Sequence, residues 1–147
     1  MRTIKKIYMI LIWLLTCSCV FTQNYIGSGN VTKQERKVNS FNTLNLEGVF
    51  DITIIPSVEE KVIVETDDNL QELIIVENHD STLVIKMKEC SISKKKTGKI
   101  YIYAKKLRKI NNSCIGNIDM DGVLKGDGVA YHSNVVGNVF LSIEDTT

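Results

Sequence analysis

Apolar and polar residues alternate with a period of two along most of this chain. Leu44 and Leu46 share one face of a segment whose other positions are Thr43, Asn45 and Glu47. Phe50, Ile52 and Ile54 oppose Asp51 and Thr53, and Leu83, Ile85 and Met87 oppose Lys86 and Lys88. Ile100 and Ile102 oppose Tyr101 and Tyr103, while Ile118 and Met120 oppose Asn117, Asp119 and Asp121. Val139, Leu141 and Ile143 oppose Ser142 and Glu144. A period of two with one polar side marks half-buried strands, and the Val, Ile and Thr in these runs suit a pleated surface. Helical periodicity is almost absent. Residues 67–73, with acids ahead of Leu70 and Leu73 at i,i+3 spacing, predict one short helical turn. Turn residues at 56–60 and 78–81 each separate two strand runs and predict two antiparallel hairpins.

A second pattern lies over the first. Gly29-Asn30-Val31, Gly116-Asn117-Ile118 and Gly137-Asn138-Val139 repeat one triplet type, and Gly48 to Ile52, with Asp51 at its centre, is a looser copy. The polar residues fall at 30, 51, 117 and 138, with gaps of 21, 66 and 21. Because 66 is three times 22, the spacing predicts a repeat of roughly 21–22 residues, as in stacked coils of β-strand. Gly turns a corner at positive φ without steric cost, and Asn tolerates the left-handed region. Gly29, Asn30, Gly48, Asp51, Gly116, Asn117, Gly137 and Asn138 are therefore expected to build corners, the Asn and Asp side chains stacking from coil to coil. Hairpins imply antiparallel pairing and the repeat implies parallel pairing; a coiled sheet with local hairpins holds both.

The N-terminus is different in kind. Arg2, Lys5 and Lys6 precede an apolar run over 7–15 and then Thr16, Cys17, Ser18 and Cys19, the order of a secretory signal peptide. The run is about half the ~20 residues a membrane-spanning helix needs. Val20 and Thr22 suit the −3 and −1 positions, so the expected division is a signal at 1–22 and one domain at 23–147. Leu14-Leu15-Thr16-Cys17 also resembles a bacterial lipoprotein box, with Cys17 or Cys19 as the lipidated residue, although Thr16 fits that box poorly. Removing three basic and no acidic residues takes the net charge from +1 to −2. A near-neutral exported chain argues against nucleic acid as partner. Cys90 and Cys114 remain after processing; an exported pair is compatible with a disulfide and equally with two buried thiols.

Tyr25 to Val31, Phe41-Asn42-Thr43-Leu44 and Leu46 to Ile52 resemble, in that order, motifs of the putative auto-transporter adhesin head GIN domain family. Val64 to Leu70, followed by Ser81 to Ile85, fits the same order, so the resemblance runs from about residue 25 to the end. It implies export from a Bacteroidetes-type bacterium and a right-handed parallel β-helix or solenoid-like fold, and it implies little about activity. The family's Ser-Gly-Ser-Gly-Asp corners are degraded here to Ser113-Cys114-Ile115-Gly116-Asn117 and Asn134-Val135-Val136-Gly137-Asn138. Family members also continue for several more coils, so an incomplete copy is expected.

Candidate chemistry is sparse. Asn117, Asp119, Asp121 and Gly122 mimic half a calcium loop, but its twelfth position is Gly128, and a solvated strand face explains the acids. Lys94, Lys95, Lys96, Lys99, Lys105, Lys106, Arg108 and Lys109 form a basic segment that reads either as an attractor of anionic glycan or lipid headgroups or, more simply, as a solvated edge. Tyr101 and Tyr103 share an outward face and are either a sugar-stacking pair or ordinary cross-strand residues. His79 and His132 have no partner at useful spacing, and no paired carboxylates or nucleophile–base set stands out. The expectation is a non-enzymatic exported module, adhesin-like, with a cell-surface glycan or envelope protein as partner and no cofactor or metal. The alternatives are an envelope lipoprotein or a carbohydrate-binding module, and least of all a polysaccharide-acting enzyme.

Overall fold

A computed structural model describes residues 24–88, 91–93, 98–125, 128–134 and 137–144 of the chain. Residues 1–22, with Cys17 and Cys19, lie outside these, as do Cys90 and the lysines at 94–96. Among the described residues the strands are β1 (Asn24–Ile26), β2 (Val31–Lys37), β3 (Thr43–Pro56), β4 (Lys61–Asp67), β5 (Ile74–His79), β6 (Thr82–Met87) and β7 (Ser91–Ser93). They continue as β8 (Gly98–Ala104), β9 (Lys109–Ile115), β10 (Ile118–Met120), β11 (Leu124–Lys125), β12 (Ala130–Ser133), β13 (Val139–Phe140) and β14 (Ile143–Glu144). The helical turn expected at 67–73 is a 3-10 turn over Asp68–Leu73. The fold is all-β with a mixed sheet that does not close.

β3 is the centre. Its first half pairs in parallel with β6 on one edge and β9 on the other. Its second half pairs in parallel with β8 on one edge and β10 on the other. β12 then stacks on β9, β13 on β10 and β14 on β11, all in parallel. At the far side β5 pairs antiparallel with β6, and β4 antiparallel with both β8 and β2. A further parallel pair joins β1 to β7.

The alternating pattern makes this core. Register aligns Val139, Ile118, Ile52, Ile100 and Val64 in one inward row crossing five strands. Ile110, Leu44 and Leu83 form a row on the other half of β3. Phe50, Ile52, Ile54, Leu44, Ile100, Ile102 and Ile110 are all fully buried. Burying such a side chain contributes roughly 1.5–3 kcal/mol, so rows continuous across strands favour one register, and a one-residue slip would turn every member outward.

Two expectations are corrected. The 66-residue interval is one ladder step, not three coils: Asn45 pairs with Asn111 and Ile52 with Ile118 as direct neighbours. The intervening chain makes β4, the 3-10 turn, β5, β6 and β8, all on the opposite edge of β3. The 21-residue step does hold at the end, where Ile118 pairs with Val139 and Lys109 with Ala130. The second correction concerns residues 56–60, which do not close a hairpin. β8 lies between β3 and β4 and pairs with both. Its Ile100 and Ile102 bridge the apolar rows of the two strands, a contact that a direct β3–β4 hairpin would lack. The β5–β6 hairpin is present, turning through Asp80 (φ 52) and Ser81.

Glycines permit the closest approaches. A Cβ on Gly116, whose φ is 154, would lie 2.2 Å from the Phe50 carbonyl oxygen. A Cβ on Gly137 would lie 2.5 Å from the Gly116 carbonyl oxygen. A Cβ on Gly29 (φ 82) would meet nothing within 4 Å. Gly116→Ala is therefore expected to lose about 3 kcal/mol or more by chemical denaturation, since backbone must move as well as strain. Gly137→Ala is expected to be similarly costly, and Gly29→Ala to cost only about 1 kcal/mol, for its left-handed φ alone. Equal losses at the three sites would contradict the stacked-corner geometry.

Candidate interaction surface

Side chains that alternate with the buried rows form an outer face on the sheet β13-β10-β3-β8-β4-β2. Thr53 and Ile55 come from β3, Lys99, Tyr101 and Tyr103 from β8, and Lys61, Ile63 and Glu65 from β4. Tyr101 and Tyr103 are half-buried, and each has an ammonium over its ring. Lys33 Nζ lies 5.4 Å from the Tyr101 centroid and Lys61 Nζ 5.3 Å from that of Tyr103. Both distances fall within cation–π range. The tyrosine pair is thus brought together on one face, as alternation requires, and is knitted to its neighbours.

The charges here largely satisfy one another. Tyr101 Oη donates to Glu65 Oε2 at 3.0 Å, and Lys33 Nζ lies 3.2 Å from the same oxygen. Burial alone would raise the Glu65 carboxyl. The Tyr101 and Lys33 hydrogen bonds and the charges of Lys33 and Lys99 outweigh it and hold the group below its ordinary value. The same hydrogen bond to Glu65, helped by burial, raises the Tyr101 phenol above its ordinary value. Lys61 pairs with Glu35 at 3.4 Å and Glu59 at 3.8 Å, and the hydrogen bond to Glu35 leads in raising its ammonium.

The recurring Gly and Asn residues fall in two places. Asp51, Asn117 and Asn138 occupy successive positions of one stack. The Asn117 N–H donates to Asp51 Oδ1 at 2.9 Å, the Ile52 N–H to the Asn117 carbonyl at 2.8 Å and the Ile118 N–H to the Asn138 carbonyl at 3.0 Å. Gly116 and Gly137 precede them, and Gly48 (φ 142) sits in β3 beside the Phe50 ring and Met87. Gly29 and Asn30 are elsewhere, packed against the 3-10 turn. The Gly29 N–H donates to the buried Asp67 at 3.1 Å, and Asn30 Nδ2 donates to Asp68 at 2.9 Å. Hydrogen bonds from Ser28, Asn30 and the Asn69 N–H hold the Asp68 carboxyl below its ordinary value.

Sequence reasoning missed the polar contacts of three side chains, Asn111, Asn112 and Gln71. Asn111 Nδ2 donates to Asn45 Oδ1 at 2.6 Å, an amide contact between neighbouring strands. Its signal was the same 66-residue interval that links Asp51 to Asn117. Buried Asn112 donates to Tyr131 Oη at 3.1 Å and accepts from the Cys114 N–H at 2.9 Å. Buried Gln71 donates to the Thr32 and Val64 carbonyls at 3.0 and 3.2 Å, tying β2 and β4 to the 3-10 turn. Cys114 is a free thiol 3.2 Å from the Phe50 carbonyl, and burial pushes it up to about 11. Among the described residues no group of three His, Cys, Asp or Glu side chains is placed to hold a metal ion.

The sequence profile of the family described as putative auto-transporter adhesin, head GIN domain, matches residues 40–146. The chain belongs to that family. The crystal structure of a putative adhesin from Bacteroides fragilis NCTC 9343 is similar at 25% identity and a TM-score of 0.77, over 83% of this chain and 58% of that one. A putative adhesin from Parabacteroides merdae ATCC 43184 shares the fold at 18% identity and a TM-score of 0.68, over 84% of this chain and 56% of that one. A putative lipid binding protein from Parabacteroides distasonis ATCC 8503 shares it at 19% identity and a TM-score of 0.59, over 84% and 63%. The head GIN chain described here thus spans less than two thirds of the length of each of these structures. No curated protein sequence matches it.

Because the folded Glu65 carboxyl lies below its ordinary value of 4.5, its stabilisation is present above that pH and is lost as pH falls through the folded value. Tyr101→Phe removes a hydrogen bond to the charged form, so the Glu65 pKa is expected to rise and acid destabilisation to begin at higher pH. A 13C NMR titration of the Glu65 carboxyl in both proteins checks this; an unchanged midpoint would contradict the assigned bond.

Proposed function

We propose that this head GIN chain is an exported, non-enzymatic recognition module of the cell envelope, adhesin-like in use. The observation that carries the reading is the broad outer face of six strands, which offers half-buried aromatics among charges. Family membership supports it. In this reading residues 1–22 are a signal peptide and 23–147 the domain, whose parallel stacks belong to a right-handed β-solenoid carrying antiparallel strands on one side. The recurring Gly and Asn residues, including Gly48 and Asp51, then serve the coil rather than a ligand. Tyr101 and Tyr103 lend their exposed edges to contact with a surface glycan or an envelope protein. Among the described residues no helix is long and apolar enough to cross a membrane. The sequence Leu14-Leu15-Thr16-Cys17 favours one variant of the reading, in which lipidated Cys17 or Cys19 anchors the domain.

Fractionation followed by mass spectrometry of the mature N-terminus tests the proposal. The expected result is envelope or medium localisation with Gln23 first, or a diacylated cysteine at 17 or 19 for the anchored variant. An unprocessed chain in the cytosol would overturn export and the function built on it.

A further inference from the structure

The basic segment singled out by sequence has a definite place in the fold. Residues 105–108 connect β8, on one edge of β3, to β9, on the other. The connection therefore steps over a whole strand layer, about 9.5 Å at the usual strand spacing. It is fixed by its backbone and by one side chain: the Arg108 N–H donates to the Asn42 carbonyl at 2.8 Å, the Ala130 N–H donates to the Arg108 carbonyl at 2.9 Å, and Leu107 is 1% exposed. With Leu107 turned in, Lys105, Lys106, Arg108 and Lys109 are all turned out and exposed. None of the four makes an ion pair with another described residue, in contrast to Lys33 and Lys61 on the sheet face.

Lys105, Lys106 and Arg108 border a groove. One depression of about 590 Å³ lies between Lys106, Leu107 and Arg108 and the stretch Gly128, Val129 and Ala130. A second, of about 240 Å³, lies beside it among Asn42, Ser81, Glu60, Lys105 and Lys106, and Lys106 lines both. Among the described residues Glu60 is the one acid lining either depression, and its carboxylate accepts a hydrogen bond from Ser40 Oγ.

We propose that this crossover groove binds an acidic glycan chain, one carrying carboxylate or sulfate groups along its length. The proposal rests on the recognition reading above and names its partner class. Two open depressions sharing a lysine suit an extended occupant, since a compact anion would fill only one. Unpaired, solvated cations attract polyanions without first breaking an internal pair. Of the apolar residues at the groove, Leu107 and Phe41 are buried, Val129 is half-buried and only the small Ala130 is exposed, so it offers no large apolar anchor to insert into a lipid surface.

Heparin and polygalacturonate are the probes, dextran is the neutral control, and vesicles containing phosphatidylglycerol represent an anionic membrane. The wild-type chain is expected to bind both acidic glycans at low salt, to lose them at high salt, and to ignore dextran. Lys105→Ala/Lys106→Ala/Arg108→Ala is expected to weaken binding about tenfold or more, with unchanged circular dichroism. A variant with the same charge loss away from the groove cations, Lys37→Ala/Lys86→Ala/Lys88→Ala, should bind nearly as the wild type does. Equal weakening by both variants would mean net charge alone, and stronger binding to vesicles than to glycans would mean a membrane partner; either overturns the groove, as does binding that survives the first triple variant. Because binding is measured on purified protein, these outcomes are independent of where the chain is localised.

Discussion

One strand carries the constraint on which the rest depends. β3 is paired along both edges for most of its length, and it changes partners midway, from β6 and β9 to β8 and β10. Apolar rows cross it in both halves, so each neighbour must arrive in one register or lose its buried face. Fully buried Phe50 opens the second half, with Gly48 touching its ring. The order of assembly in space thus differs from the order in sequence: the strand formed early in the chain ends up inside, and later strands are laid on either side of it.

That difference explains what the sequence disclosed. Alternation is a local signal, and it identified the faces of β3, β6, β8 and β10 and with them Leu44, Leu46, Ile52, Ile54, Leu83, Ile85, Ile100, Ile102 and Ile118 of the buried aliphatics, but not Val62 and Val64 of β4 or Ile110 of β9. The β5–β6 hairpin was legible because a two-residue turn leaves its strands little choice. Strand order is a non-local matter. The turn at 56–60 showed where the chain reverses, but nothing in those residues could tell that β8, about forty residues later, would enter between β3 and β4. The interval of 66 was read correctly as a register and wrongly as three coils, because arithmetic on spacing cannot distinguish a direct neighbour from a distant one. Its meaning was spatial: Asn45 with Asn111, Gly48 with Cys114 and Ile52 with Ile118 are single steps across one pairing.

The glycine-led corner follows from the same stacking. Phe50, Gly116 and Gly137 lie at equivalent points, and each glycine leaves room for a carbonyl of the neighbouring layer. Two of the recurring triplets share this position, whereas Gly29-Asn30-Val31 does not, although its composition is the same. There Gly29 and Asn30 meet Asp67 and Asp68 and tie the start of β2 to the 3-10 turn. A short motif of small and amide residues reports a local backbone need, and different parts of a fold can share that need.

The surfaces left over differ in how free they are to bind. On the sheet face, Lys33 serves both Glu65 and the Tyr101 ring, and Lys61 serves Glu35, Glu59 and the Tyr103 ring. A ligand that recruited those cations would have to give up interactions they already make, so its net gain would be small. At the crossover the backbone is held by Asn42 and Ala130 and the apolar contact is made by Leu107, which leaves four cations with no ion pair to any described residue. A connection forced to step over β3 needs its backbone and one apolar side chain to be fixed, and it places no demand on the residues between. Those positions are where charge can be concentrated for a partner without cost to the fold, and the chain has put its densest run of described cations there.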